Sequence, residues 1–178
     1  MTQGIREERR KKVIEVLNEA RSMELQAIHQ YMNQHYNLDD MDYGELAGKI
    51  KLIAIDEMRH AEDFAERIKE LDGEPTSELA GGVEKGQEVE KIYPYDSKQE
   101  ADTIEAYNEF SKTCRENGDS TTAQLFDEII DEEQEHLNYF DDVNNHIEKL
   151  GNTYLAQLAG TTSDTGGFSK GFVGGGEE

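Results

Sequence analysis

Six residues of this chain stand out by type and spacing. Glu57 and His60 form one Glu-x-x-His pair, Glu133 and His136 form another, and Glu24 and Glu100 each precede a pair by 33 residues. The set Glu24, Glu57, His60 recurs 76 residues later as Glu100, Glu133, His136, and Tyr31 recurs as Tyr107. Residues three apart on a helix share a face, so each pair offers a carboxylate and an imidazole to one place. Such oxygen and nitrogen donors suit iron or manganese. One Glu from each of two helices, with Glu-x-x-His from each of two others, is the donor set of a carboxylate di-iron site inside a helix bundle. In a chain with 26 glutamates, Glu-x-x-His alone would be ordinary. A third Glu at one fixed distance before both pairs would arise by composition in only about one case in fifty.

The surroundings of these residues argue that they point inward. Glu24 lies between Ala20 and Ile28, Glu57 between Ile53 and Ala61, Glu100 before Ile104, and Glu133 between Ile129 and Leu137, all at positions where an apolar stripe calls for a hydrophobic side chain. Burying ionised carboxylates costs several kcal/mol each unless positive charge compensates, and no Lys or Arg shares these stripes. A pair of metal cations would compensate. Glu100 has a second reading, because Ser97-x-x-Glu100 also fits a helix capping box, with Glu105 then the substitute donor. Tyr31 and Tyr107 fit hydrogen-bond donors to the site, electron sources, or ordinary core aromatics.

Four long helices are needed to bring the six together, and the hydrophobic periodicity supplies them. A first stripe runs from Val13 to Leu38 and a second from Tyr43 to Leu71, with Leu38 to Asp42 offering caps and Gly73 and Pro75 a stop. Residues 73 to about 96 read as a long crossover with an extended piece at Val89 to Tyr95. Asp96-Ser97 is the expected cap of a third helix ending at Asn117-Gly118. Asp119 opens a fourth that Gly151 closes, and Thr153 to Ala159 allows a short fifth. The expected fold is all-α: two helical hairpins joined by one crossover, with residues 1–160 as the domain and 161–178 as a Gly-rich, mobile tail.

Composition limits the partners. The chain has 178 residues and a formal charge of −22, which repels phosphate backbones and makes nucleic acid a poor partner. No window approaches the roughly 18 apolar residues of a spanning helix, and the first residues carry no apolar run after their charges, so no membrane segment or signal is expected. Cys114 is the only cysteine, which excludes an internal disulfide and a four-thiolate rubredoxin-type centre and fits a cytoplasmic location.

The segments MELQAIHQY, IDEMRHAEDFAERI and DEEQEH resemble the bacterioferritins, within the ferritin-like superfamily, and the resemblance runs from about Ile5 to Gly160. It implies a ferritin-like four-helix bundle with a short C-terminal fifth helix, in which Glu24, Glu57, His60, Glu100, Glu133 and His136 are ferroxidase ligands and Glu57 and Glu133 bridge the two irons. It implies iron storage: Fe(II) oxidised by dioxygen or peroxide and deposited as a ferric mineral inside a hollow homo-oligomer of twenty-four subunits, with an electron-donor protein for iron release. On residues alone, Met58 could fill a helix interface. The resemblance makes it the axial ligand of a haem shared by two subunits, either protohaem or a variant such as iron-coproporphyrin. Some family members carry a further inner-surface iron site with a His before an Asp; Asp56 is present here, but Leu52 stands where that His would be. The competing readings are a di-iron peroxidase or oxygenase on the same scaffold, and a bundle that binds haem or metal passively.

Overall fold

A computed structural model describes residues 3–165, and the helices among them are α1 (Gln3–Asp40), α2 (Gly44–Glu70), α3 (Val89–Glu116), α4 (Ser120–Leu150) and α5 (Asn152–Leu158). The bundle is all-α. α1 packs most extensively on α2, and α3 on α4, as two antiparallel hairpins, with α5 capping one end.

α1 begins ten residues before the expected Val13. Its first ten residues are largely exposed and carry no apolar stripe, but Arg, Glu and Lys are good helix formers, and Glu8 lies 3.8 Å from Lys12 one turn on. The stripe marks where the helix is packed, not where it starts. The acidic run before α2 ends α1 rather than capping its successor: Asp42 is left-handed at φ 66°, and Tyr43 N donates to Leu38 O at 2.9 Å. The free N–H of Glu45 instead donates to Thr161 Oγ1 at 2.9 Å. Residues 161–164 thus lie against the start of α2, where a Cβ on Gly44 would stand 2.2 Å from Thr161 O. The remainder of the expected tail, from 166 on, lies outside the described residues.

The extended piece expected at Val89 to Tyr95 is helix, and the expected cap at Asp96-Ser97 lies two turns inside α3. Glycines, proline and the lack of a sustained helical period over residues 73–96 suggest a crossover there. Tertiary packing decides otherwise, because Val89, Ile92, Tyr93, Asp96 and Glu100 form one buried stripe at helical spacing. The capping-box reading of Glu100 falls with it.

The crossover between α2 and α3 lies along α1 as a strap. It is held by α1 at every fourth position, by four side chains and the carbonyl of Ser22. Asn18 Oδ1 accepts from Thr76 N at 2.7 Å, Ser22 O from Ala80 N at 3.0 Å, Gln26 donates to Gly82 O at 3.2 Å, and Gln30 exchanges both bonds of its amide with Glu84. Gln34 reaches Gln87 at 2.9 Å and Asp96 at 2.8 Å. At the other end of the bundle Asp119 caps α4 as expected, accepting from Thr122 N at 2.9 Å, and Arg67 of α2 binds both its oxygens at 2.9 and 3.0 Å.

The core falls into two apolar clusters. One contains Leu38, Ile50, Ile92, Tyr93, Phe140 and Ile147, the other Leu17, Phe64, Ile68, Tyr107, Phe126 and Ile129. The polar residues singled out in the sequence lie between them.

Candidate metal centre

Glu24 on α1, Glu57 and His60 on α2, Glu100 on α3 and Glu133 and His136 on α4 converge at the waist of the bundle. All six are between 0 and 6 % exposed. They form two overlapping groups, Glu24, Glu57, His60, Glu133 and Glu57, Glu100, Glu133, His136, and within each group one donor atom per residue lies within 4.8 Å of the others. Glu57 and Glu133 belong to both. Glu105 is exposed and outside the groups, so no substitute for Glu100 is needed.

The histidines turn Nδ1 inward. His60 Nδ1 lies 3.0 Å from Glu57 Oε2 and 3.2 Å from Glu133 Oε1, and His136 Nδ1 lies 3.1 Å from Glu133 Oε2 and 3.2 Å from Glu57 Oε1. The tyrosines pair across the hairpins: Tyr31 of α1 donates to Glu100 of α3, and Tyr107 of α3 donates to Glu24 of α1. Their rings are at the same time part of the two apolar clusters, so each is both a core aromatic and a hydrogen-bond donor to a site carboxylate.

Electrostatics explains how such a site exists before metal arrives. Burial, then repulsion from Glu133 and Glu57, raises Glu24 and Glu100 well above the usual carboxylate range, favouring their neutral forms. Burial opposes charge on His60, but hydrogen bonds to Glu133 and Glu57 push it up to about 12, and Asp56, Glu133 and Glu57 raise His136 likewise. Glu133, which burial would raise, is held well below its usual range by the two histidines. Protons therefore occupy the place of positive charge. The arrangement fits divalent cations: the buried oxygens Glu57 Oε1 and Glu133 Oε1 face only a histidine Nδ1 each, 3.2 Å away on His136 and His60, and a cation that displaced those protons would meet carboxylate and imidazole lone pairs together.

A cavity of about 140 Å³ reaches the group from the α1–α3 side, from exposed Asp102 past Gln26 and Gln99 to Glu24, Tyr31 and Glu100. Ile53, Phe64, Ile129 and Phe140 are buried as core, and the opening lies between the other pair of helices.

Two contacts escaped the sequence reading, which notes Asp56 only for an inner-surface site and Glu132 not at all. Glu132 Oε2 lies 3.2 Å from His60 Nε2, and Asp56 Oδ2 lies 3.6 Å from His136 Nε2. The two acids too are 76 residues apart, a signal present in the same internal repeat.

A two-hairpin bundle whose waist holds four carboxylates and two imidazoles in overlapping groups defines a ferritin-like dimetal protein. The comparisons agree: residues 14–150 match the family described as Ferritin, ferritin-like domain. A bacterioferritin from Desulfovibrio desulfuricans is 66% identical over 170 residues, covering 96% of this chain and 95% of the relative. One from Brucella melitensis is 33% identical over 86% of this chain and 95% of its own length. The crystal structure of the D. desulfuricans protein, described as showing its diiron site in different catalytic states, superposes with a TM-score of 0.92 over 94% of this chain and 98% of that one. Mycobacterium tuberculosis bacterioferritin BfrA is similar with a TM-score of 0.79 at 34% identity, over 83% of this chain and 93% of its own. The chain belongs to the bacterioferritin family. Its function is iron storage with a di-iron ferroxidase site.

Proposed function

We propose that Glu24, Glu57, His60, Glu100, Glu133 and His136 are the ligands of the ferroxidase centre, with Glu57 and Glu133 bridging two iron ions and His60 and His136 each capping one. The observation that carries this reading is that Glu57 and Glu133 belong to both donor groups, and each has a histidine Nδ1 within 3.2 Å of either of its oxygens. Iron enters as substrate, Fe(II). Each ion gives up one electron. Dioxygen takes the pair with two protons and leaves as hydrogen peroxide, or peroxide takes them with two protons and leaves as two waters. The protein supplies charge balance, since bridging carboxylates hold Fe(II) and Fe(III) alike, and the Tyr31 and Tyr107 hydroxyls keep Glu100 and Glu24 aimed inward.

The cavity suits hydrated ions and small oxidants. It is well below the roughly 300 Å³ where pockets for organic ligands begin. That difference supports storage over an oxygenase acting on an organic molecule. Stopped-flow absorbance after adding two Fe(II) per subunit tests the ferroxidase, and continued loading tests storage. A protein that stops at two irons per subunit, whatever the supply, contradicts storage and favours the enzyme alternative.

The finer expectations rest on family membership. Met58 sits on α2, 55% exposed in the single chain, and is the candidate axial ligand of a haem at a two-fold axis of a twenty-four-subunit shell. A cytoplasmic location fits the lone cysteine and the lack, among the described residues, of any helix long and apolar enough to cross a membrane. Native mass, haem spectroscopy and fractionation test these points.

A further inference from the structure

The two histidines of the centre are held from behind by acids that the ferroxidase reading leaves unused. His60 Nε2 lies 3.2 Å from Glu132 Oε2, and His136 Nε2 lies 3.6 Å from Asp56 Oδ2. The pairing crosses the bundle: the α4 acid holds the α2 histidine, and the α2 acid holds the α4 histidine. Each acid immediately precedes a bridging glutamate in the chain, so the helix that donates Glu133 inward also reaches around His60, and the helix that donates Glu57 reaches around His136.

The chemistry of an imidazole ligand gives these contacts a purpose. A metal-bound histidine is neutral, with one ring nitrogen giving its lone pair to the metal and the other carrying the hydrogen. An acceptor beside Nε2 keeps a hydrogen there, so that the proton a metal displaces is the one on Nδ1, the nitrogen that both rings turn toward the carboxylates. The two contacts are unequal. At 3.2 Å Glu132 is within hydrogen-bond range, whereas Asp56, one methylene shorter and drawn by Arg59 at 2.7 Å, stops at 3.6 Å, a longer and weaker contact.

We infer that Glu132 and Asp56 are positioning residues of the metal centre, and that the closer hold of Glu132 on His60 makes the Glu24–His60 half the first of the two to fill. This rests on the proposed ligand set, and concerns which of two similar ligand sets is better organised before metal arrives. Orienting carboxylates of this type contribute about 10- to 100-fold to metal affinity in other sites. Glu132 and Asp56 are 61% and 33% exposed, so their replacement leaves the core untouched.

Cobalt(II), which stands in for Fe(II) without being consumed, tests the inference in the full-length protein under anaerobic conditions. Crystals loaded with one cobalt per subunit should show the stronger anomalous signal beside His60. Glu132→Ala should move the larger share beside His136 and weaken the tighter solution affinity by about tenfold or more. Glu132→Gln, which keeps an acceptor oxygen, should retain most of the preference. Asp56→Ala should weaken the second binding step and leave the order unchanged. A cobalt distribution and affinities unaltered by both alanine variants would overturn this inference while leaving the ligand set standing. An unaltered protein that takes up no cobalt at either half would overturn both.

Discussion

Tyr31 on α1 donates its hydroxyl hydrogen to Glu100 on α3, so a residue of one hairpin orients a carboxylate of the other. Tyr107 and Glu24 repeat the arrangement in reverse. Removing the hydroxyl while keeping the ring isolates its role. Tyr31→Phe should fold normally, because the ring stays packed near Phe140 with centroids 5.5 Å apart. It leaves buried Glu100 without its donor. Affinity at the Glu100–His136 half should fall by about tenfold. Anaerobic cobalt titration measures it, and an unchanged second step would show that Tyr31 is only a core aromatic.

The bridging assignment predicts a larger effect. Glu133→Ala removes a donor common to both groups, and His136→Ala removes the nitrogen of one. Either should slow the initial oxidation of two Fe(II) per subunit by at least about 100-fold. Wild-type initial rates in stopped flow from either variant would show the ligand set to be wrong.

The protonation pattern predicts that metal displaces protons. His60 is pushed up to about 12 and His136 is raised too, so both imidazoles carry their second proton at neutral pH, and burial shifts Glu24 and Glu100 upward, toward their protonated forms. A cation must expel the protons on the nitrogens and oxygens it binds. Uptake should therefore strengthen as pH rises and weaken as it falls. Anaerobic addition of Zn(II) in a pH-stat should release about two or more protons per subunit at saturation. Release of none would mean the histidines are neutral without metal.

Met58→Leu preserves volume and apolarity on an exposed turn of α2, so the bundle and its ferroxidase rate should be retained. The haem Soret band should be lost from the purified protein. Stoichiometric haem in this variant would remove Met58 as its ligand.

Gly44 is in contact with backbone, not with side chains that could swing away: a Cβ there would stand 2.6 Å from both Ser163 N and Thr162 C. Gly44→Ala should displace residues 161–164 from α2 at a cost of about 1–3 kcal/mol. Limited proteolysis should then cut near Thr161 faster than in the unaltered chain, and equal rates would show that this segment is not held there.

The donor set was legible because helix periodicity turns a sequence interval into a direction: Glu57 and His60, three apart in an apolar stripe, had to face inward together. The repeat at 76 residues then required two hairpins to meet. What lay hidden was what packing decides. Val89 to Tyr95 has strand composition, and only burial against the rest of the bundle makes it helical. The start of α1 is helical on propensity alone, which a search for apolar stripes cannot see. Glu132 looks like any exposed acid in a chain rich in them, and its meaning comes from His60 of another helix. The strap along α1 depended on Asn18, Ser22, Gln26, Gln30 and Gln34, whose even spacing carries no hydrophobic signal.

That ladder of amides has a consequence for how subunits keep their identity. Long crossovers invite neighbouring chains to exchange whole hairpins, since the same interfaces form whichever chain supplies them. Here the crossover is stitched rung by rung to α1 of its own chain, from Asn18 to Gln34, which fixes where the second hairpin must dock. Each polypeptide therefore supplies its whole donor set from its own residues. In particles assembled from active and inactivated subunits, every active chain would work at its full rate beside dead neighbours, and the total would fall in simple proportion to the mixture.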